Sequence, residues 1–328
     1  MKNYITISVT SNDLNKRVDV FISSKLIDIS RNRLKSLILA GNLSFCKEVI
    51  KQPSYKLKNT GNLSLFIPKP LAHKLVPQNL NINVVYEDEN LIVLDKEAGV
   101  VVHPGSGNYT NTLVNALLYH CKNNLSGIGG VLRPGVVHRI DKMTSGLLVF
   151  AKDDLTHNGL SEQFKNKTTA RRYNSINWNF LPNVEGRIET SISRSKSNRK
   201  KMQISSSGLG KHAITEYNLI KSYEVNKDIK ISHTKCRLLT GRTHQIRVHM
   251  NYIGNPLIGD KKYSRNNFYL KLPINLKEFI FHKFIKTERH ALHASLLGFY
   301  HPLKKKKFVF ESKLPNDFTD LLNLLEKV

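Results

Sequence analysis

The chain has 328 residues, room for two domains of about 100–200 residues each, and its 40% hydrophobic and 23% charged content excludes wholesale disorder. Lysine and arginine number 51 against 25 acids, a net charge of +26, which points to a polyanionic partner, nucleic acid or an anionic membrane surface. No window approaches the ~18–20 apolar residues of a membrane helix, no secretory signal opens the chain, and Cys46, Cys121 and Cys236 fit neither a disulfide framework nor a zinc site, so a cytoplasmic protein is expected.

Residues 14–27 set Leu14, Val18, Phe21 and Ile22 at helical spacing after Ser11-Asn12-Asp13, which predicts a helix. A second helix follows Ser30 as N-cap. Its Leu34, Leu37 and Ile38 share a face, and Gly41 stands where a C′ glycine ends a helix. Arg31, Arg33 and Lys35 lie off that stripe. Extended runs are expected near 43–45 and 63–67, with Lys47, Lys51, Lys56 and Lys58 between them. From 11 to 70 there are eleven Lys/Arg and four Asp/Glu; a solvated helix face accounts for one basic helix as well as a binding surface does. In the order R-V-D-V-F-I, S-R-N-R-L-K-S-L-I, G-N-L and S-Y-K-L-K, residues 14–67 resemble the α-L, S-four-like RNA-binding module. The departure is Phe45-Cys46-Lys47, where a tight Asn-Gly turn is usual. The resemblance implies an RNA-binding domain at 1–67, with Arg31, Arg33 and Lys35 on RNA phosphates.

Pro68, Pro70 and Pro77 punctuate a polar stretch, and 68–84 reads as a linker to a larger domain at 85–328. That domain opens with a strand near 84–85, a turn through 87–90 and a strand at 91–94. A helix at 111–121, a buried strand at 147–151, a short amphipathic helix at 154–165 and a weakly alternating strand at 171–177 follow. Residues 190–215 carry six Lys/Arg, no acid and many serines, as an exposed basic hairpin or loop would. No sustained heptad is present, so a monomer is expected.

Two constellations carry chemistry. In V-V-H-R-I-D-K-M-T-S-G-L-L-V, residues 136–149, a loop between apolar runs can hold Asp141 rigidly, with Arg139 and Lys142 as cationic neighbours. On spacing alone an Asx-turn is the commoner explanation of a lone aspartate. In L-T-G-R-T-H-Q-I-R-V-H-M, residues 239–250, Ile246, Met250 and Ile253 share a face and Gly254 stops the helix. Arg247 sits at the edge of that face, where a guanidinium either forks onto a carboxylate or keeps its head in water. His244 and His249 are five apart, the wrong interval for two metal ligands on one helix face. Phosphate-loop, dinucleotide and serine-hydrolase motifs are not found, and Gly208-Leu209-Gly210-Lys211 is too short a match to count.

Taken together, V-V-H-R-I-D-K-M-T-S-G-L-L-V-F-A-K and G-R-T-H-Q-I-R-V-H-M closely resemble the RluA/RluD-type pseudouridine synthases. Supporting segments occur in the same order, among them Val102-His103-Pro104-Gly105, Ala170-Arg171-Arg172-Tyr173, Pro256-Leu257-Ile258-Gly259-Asp260 and Ala291-Leu292-His293-Ala294. Met143 replaces an acid and Glu97 a proline common in the family. The resemblance implies an α+β fold: the small α-L domain, then a catalytic domain on a mixed, largely antiparallel β-sheet flanked by helices. It implies uridine isomerisation in RNA with no metal, nucleotide or other small-molecule cofactor. Asp141 is then the catalytic carboxylate, Arg247 its bidentate partner, and Tyr173 the stacking or proton-transfer tyrosine. Ile246 lies beside the base, Arg139 enters the vacated stack, and Arg242 joins them in binding substrate. The N-terminal module and the V-V-H-P-G-S-G-N segment favour ribosomal RNA of the large subunit, free or in an assembling particle. Transfer RNA, or a non-catalytic assembly factor on the same fold, are the alternatives.

Overall fold

The computed structural model describes residues 4–26, 29, 31–67, 75–105, 107–122, 124–128, 130, 133–195, 197–205, 210–264 and 267–328. It divides into two compact units, 1–73 and 74–328.

The first unit contains β1 (Tyr4–Val9), α1 (Val18–Lys25), α2 (Arg31–Leu39), β2 (Leu43–Phe45), β3 (Glu48–Ile50) and β4 (Gly61–Phe66), with sheet order β1-β4-β2-β3. The helices bury Val18, Phe21, Ile22, Leu34 and Ile38 against Leu43, Leu57, Leu63 and Leu65. α1 starts at Val18 rather than at 14. Asn15 takes a left-handed φ of 62° and donates its N–H to Leu57 O at 2.8 Å, which ties this stretch to the chain before β4. α2 closes as its glycine predicts: Gly41 has φ 78°, its N–H reaches Ile38 O, and Asn42 N–H reaches Leu37 O at 3.0 Å. β1 and β3 went unanticipated. Between β2 and β3 the Cys46-Lys47 pair has φ 48° and 74°, the two positive values of a two-residue hairpin turn, so the turn survives without Asn-Gly. The Ser30 cap and the Arg33 side chain lie outside the described residues.

The second unit is built on a sheet of ten strands: β5 (Val84–Glu87), β6 (Leu91–Lys96), β7 (Ser145–Ala151), β8 (Ala170–Trp178), β9 (Glu185–Arg194), β10 (Met202–Ile204), β11 (Lys211–Asn226), β12 (Ile229–Leu238), β13 (Leu292–Tyr300) and β14 (Lys307–Glu311). Its order is β10-β9-β11-β12-β8-β13-β7-β6-β5, with β14 paired to β13. Among the described strand pairs only β7–β13 runs parallel, so the sheet is mixed and largely antiparallel, as expected. The helices are α3 (Leu113–His120), α4 (Asp154–Asn166), α5 (Gln245–Tyr252), α6 (Ile274–Ile280) and α7 (Asn316–Leu325).

Helices on both faces explain why β7 is buried throughout instead of alternating. Leu148 and Phe150 join α3 and α5 in one core, while Leu147 and Val149 join Leu160 of α4 on the other face. Gly146, with φ 111°, lets β7 meet β13, because a Cβ there would run into the Ala294 backbone. Part of the stretch read as linker belongs to this unit: Leu75 and Ile82 pack on its core, and Gln78 N–H donates to Asn115 O at 2.9 Å. Within 190–215 the strands cover 190–194, 202–204 and 211–215, and the basic segment joins β9 to β10 as an antiparallel hairpin.

Candidate active site

The loop before β7 is fastened mainly through its backbone. Lys142 O accepts from Gly99 N–H and from Lys96 Nζ, each at 2.9 Å. Met143 O accepts from Arg289, and Thr144 Oγ1 bonds His290 Nε2 at 2.8 Å. His138 Nε2 accepts from Val149 N–H at 3.1 Å, and its ring stacks on Phe164. Met143 is thus held by a main-chain oxygen that any residue supplies, and the loop does not need the family's acid there. Lys96 is buried; burial first, and then the Arg289 charge, pull its pKa down to about 7.

The opposite wall is the start of α5. Gln245 is fully engaged: Oε1 accepts from Thr240 Oγ1 and Arg242 N–H, and Nε2 donates to Ile214 O and Thr215 Oγ1. This pins residues 240–245 to β11 and leaves His244 in a left-handed conformation at φ 56°. His249 is buried between Thr190 and Thr215, a structural position. Arg247 is 5% exposed and meets two carboxylates. Its Nε and Nη2 fork onto Asp260 at 2.7 and 2.9 Å, and Nη1 alone reaches Asp141 Oδ2 at 2.8 Å. The expected bidentate pair therefore exists, but with Asp260; Asp141 receives a single charge-assisted bond. Arg247 approaches from the α5 face, and Asp260, in the turn after Gly259, takes the flat side of the fork.

Burial works against ionisation of Asp141, yet charge on His244, Arg247 and His290 outweighs it and holds the carboxyl at about 2. In the range where Asp141 would protonate, His244 is itself cationic, since burial lowers its pKa to about 4. At neutral pH the site therefore holds an ionised Asp141 beside a neutral imidazole.

Asp141 opens on a cleft of about 500 Å³, the size of a small-molecule or single-nucleoside site. Tyr173 from β8, Ile246 from α5, Phe164 and Leu292 supply its apolar walls; Arg139, Arg242, Arg171 and Lys165 supply cations. Of the residues singled out from sequence, Asp141, Arg139, Tyr173, Arg242, Ile246 and Arg247 all line this cleft. Arg139 is exposed at its mouth, and Arg242 is braced by a bond from Nε to His212 O at 2.9 Å. Burial raises the Tyr173 phenol, and Asp141 adds to the rise, so it stays protonated. Arg31 and Lys35 lie one turn apart and exposed on α2 of the first unit.

Three residues of this centre appear in the sequence motifs without a site role: Asp260, His244 and Arg171. Arg171 is 8% exposed, and its Nε has no hydrogen-bond partner among the described residues. The Gly-Asp pair at 259–260, a tight turn followed by an acid, was the available signal for Asp260. A second cleft of about 640 Å³ shares Arg139, Asp141 and His244 with the first and adds Arg133, Lys142 and Lys262. No group of three or more potential metal ligands occurs among the described residues.

Residues 90–252 match the family model described as RNA pseudouridylate synthase. The chain is 43% identical, over 97% of its length and 96% of the relative's, to a Ribosomal large subunit pseudouridine synthase D of Zymomonas mobilis. It is 37% identical, over 99% of both chains, to an uncharacterized RNA pseudouridine synthase of Bacillus subtilis. Its fold resembles Human RNA Pseudouridylate Synthase Domain Containing 1, with a TM-score of 0.54 at 20% identity, covering 76% of this chain and 97% of that one.

Proposed function

From the premise that the chain belongs to the RNA pseudouridylate synthase family, we propose that it isomerises uridines to pseudouridine in large-subunit ribosomal RNA, with Asp141 as the catalytic group. The observation that carries this reading is the half-buried, ionised Asp141 held by Arg247 at 2.8 Å in the lining of a nucleoside-sized cleft. The large-subunit target is supported by the name and near-complete coverage of the Zymomonas mobilis relative.

The reaction breaks the bond from uracil N1 to the ribose, turns the base and joins the ribose to carbon 5. Carbon 5 thereby loses a proton and the freed N1 gains one, with the Tyr173 hydroxyl giving up its own proton as it takes the one from carbon 5. A uridine in structured RNA must leave the stack to reach Asp141, which suits a cleft with an aromatic wall and a basic mouth. Arg139, exposed at that mouth, fills the space the base vacates. Tyr173 and Ile246 hold the uracil between them, and the protonated phenol of Tyr173 relays the proton lost from carbon 5. Arg242 meets the RNA backbone. Asp141, ionised at working pH, supplies the attacking or proton-accepting oxygen, and Arg247 keeps it so. Arg31, Arg33 and Lys35 on an S-four-like module at 1–67 add phosphate contacts. A monomer working in the cytoplasm, on ribosomal RNA or a precursor of the large subunit and without a small-molecule cofactor, completes the reading. None of the described helices is long and apolar enough to cross a membrane.

The test is complementation. The wild type and Asp141→Asn are expressed in cells lacking the native gene, and pseudouridine is mapped in ribosomal and transfer RNA. Sites in large-subunit RNA restored by the wild type alone are the expected result. Restoration confined to transfer RNA reassigns the substrate, equal restoration by both proteins removes Asp141 from catalysis, and none by either leaves an assembly role.

A further inference from the structure

His244 takes no part in the reading above, yet its ring stands over Asp141. Nε2 lies 3.8 Å from Asp141 Oδ2, beyond a hydrogen bond, and the side chain is only 12% exposed. Its other nitrogen, Nδ1, is 2.7 Å from the Tyr263 hydroxyl. That hydroxyl also accepts the backbone N–H of Met202 at 2.9 Å.

The proton count in this chain is determined. Met202 N–H can only donate, so the Tyr263 oxygen is an acceptor there and has one proton to place. Were Nδ1 protonated, the Tyr263 oxygen would receive two donors and leave its own proton without an acceptor in a mostly buried site. The arrangement that satisfies every group has Tyr263 O–H donating to Nδ1. A neutral imidazole that accepts at Nδ1 carries its proton on Nε2, the nitrogen facing Asp141. Tyr263 is itself fixed: its N–H donates to Asp260 Oδ1 at 3.2 Å, and the Arg247 guanidinium lies 5.1 Å from its ring centre. The strand bearing Met202 is seated as well, since Met202 and Ile204 pack with Val248 and Tyr263.

We propose that His244 is a substrate-facing hydrogen-bond donor beside Asp141, held in its Nε2–H form by Tyr263, and that it serves an oxygen of the target nucleotide. The 3.8 Å gap leaves the Nε2–H unspent in the free protein and available to a carbonyl or hydroxyl oxygen brought to Asp141. Tyr263 is a positioning residue, and Met202 extends the chain of bonds to the basic β9–β10 hairpin. The proposal rests on Asp141 being the catalytic carboxylate.

Two measurements test it. In protein labelled with nitrogen-15 histidine, ring couplings report the tautomer of His244, assigned by the signal lost in His244→Gln. The Nε2–H form is expected in the wild type, giving way to a mixture in Tyr263→Phe. An Nδ1–H form in the wild type overturns the assignment.

Single-turnover pseudouridine formation is then compared in His244→Gln, His244→Asn and Asp141→Asn. Glutamine places an amide N–H near the Nε2 position, whereas asparagine suits the left-handed backbone but reaches only the Nδ1 position. The donor role predicts that Asn slows the reaction by about tenfold to a hundredfold with RNA affinity nearly unchanged, while Gln stays within about threefold of the wild type. Equal rates for Gln and Asn, fast or slow, overturn the donor role, and an inactive Asp141→Asn in the same series leaves the function standing. An active Asp141→Asn overturns both.

Discussion

Asp260 takes two N–H groups of Arg247, at 2.7 and 2.9 Å, and Asp141 takes one, at 2.8 Å. The cation that keeps the reactive carboxylate ionised is therefore aimed by a second carboxylate, itself 2% exposed. Removing Asp260 leaves a buried guanidinium half-paired. Asp260→Ala is expected to destabilise the protein by about 3–5 kcal/mol, the cost of breaking a buried ion pair. Asp260→Asn keeps the shape and loses the charge, so it should fold yet turn over slowly with RNA affinity intact. Denaturation curves and single-turnover rates check both, and full activity in Asp260→Asn would show that Arg247 needs no clamp.

Buried imidazoles make stability fall on the acid side of neutrality. Burial lowers His103, His244 and His249 to about 4, and His138 and His290 to about 3. Unfolded, each titrates near 6.5, so below that pH the unfolded chain binds protons the folded one refuses. Their contribution is complete above about pH 6.5 and is lost as pH falls toward 4, by about 1 kcal/mol per histidine between pH 7.5 and 5.5. The depressed Asp141 adds a further loss only below about pH 4. Urea unfolding at pH 7.5 and 5.5 measures this; equal midpoints would contradict it.

Tyr173→Phe preserves the ring against which the base rests and deletes only the hydroxyl. Loss of a proton relay typically costs about 10²–10⁴-fold in rate. The variant should bind RNA as the wild type does and fall by at least about a hundredfold in product formation. A parallel loss of affinity would assign Tyr173 to binding alone.

The segment between β9 and β10 exposes Arg199 and Lys200, with Lys201 half-buried beside them. If these three track phosphates, their joint replacement by alanine should flatten the plot of log affinity against log salt by about 0.7–0.9 per lost contact. Titrations from low to physiological salt read the slope directly. An unchanged slope would place the RNA elsewhere on the surface.

At the Cys46-Lys47 turn two residues with side chains occupy left-handed φ, where each costs about 1–2 kcal/mol relative to glycine. Lys47→Gly should therefore raise the stability of the first unit by about 0.5–1 kcal/mol in thermal unfolding. A lower melting temperature would mean that the Lys47 side chain makes a compensating contact.

How much of this was legible in the chain follows from what kind of signal each feature carries. α2 and α5 announce themselves because apolar spacing and a terminal glycine act locally, and both glycines do adopt positive φ. Asp141, Tyr173 and Arg247 come from three separate stretches and line one cleft, and what marks them in the sequence is the pairing of long motifs in a fixed order rather than any local spacing. The start of α1 was misplaced, since the bond from Asn15 to Leu57 spans more than forty residues and leaves no periodic trace. β1 showed alternation at Ile5, Ile7 and Val9, but its partner β4 lies far along the chain. Asp260 and His244 stayed hidden for a related reason: their roles depend on the direction of a side chain, which no spacing rule encodes.

β13 lies between β7 and β8, yet more than a hundred residues separate it in sequence from either strand. The strand following Asp141 and the strand bearing Tyr173 thus share no ladder until residues 292–300 slot in as a keystone. A growing chain can assemble β5 to β7 and β8 to β12 as separate sub-sheets, with the future catalytic pair apart. Such long-range closure is slow to form. It also gives synthesis a built-in delay: the carboxylate and the phenol first face each other when most of the polypeptide has already been made.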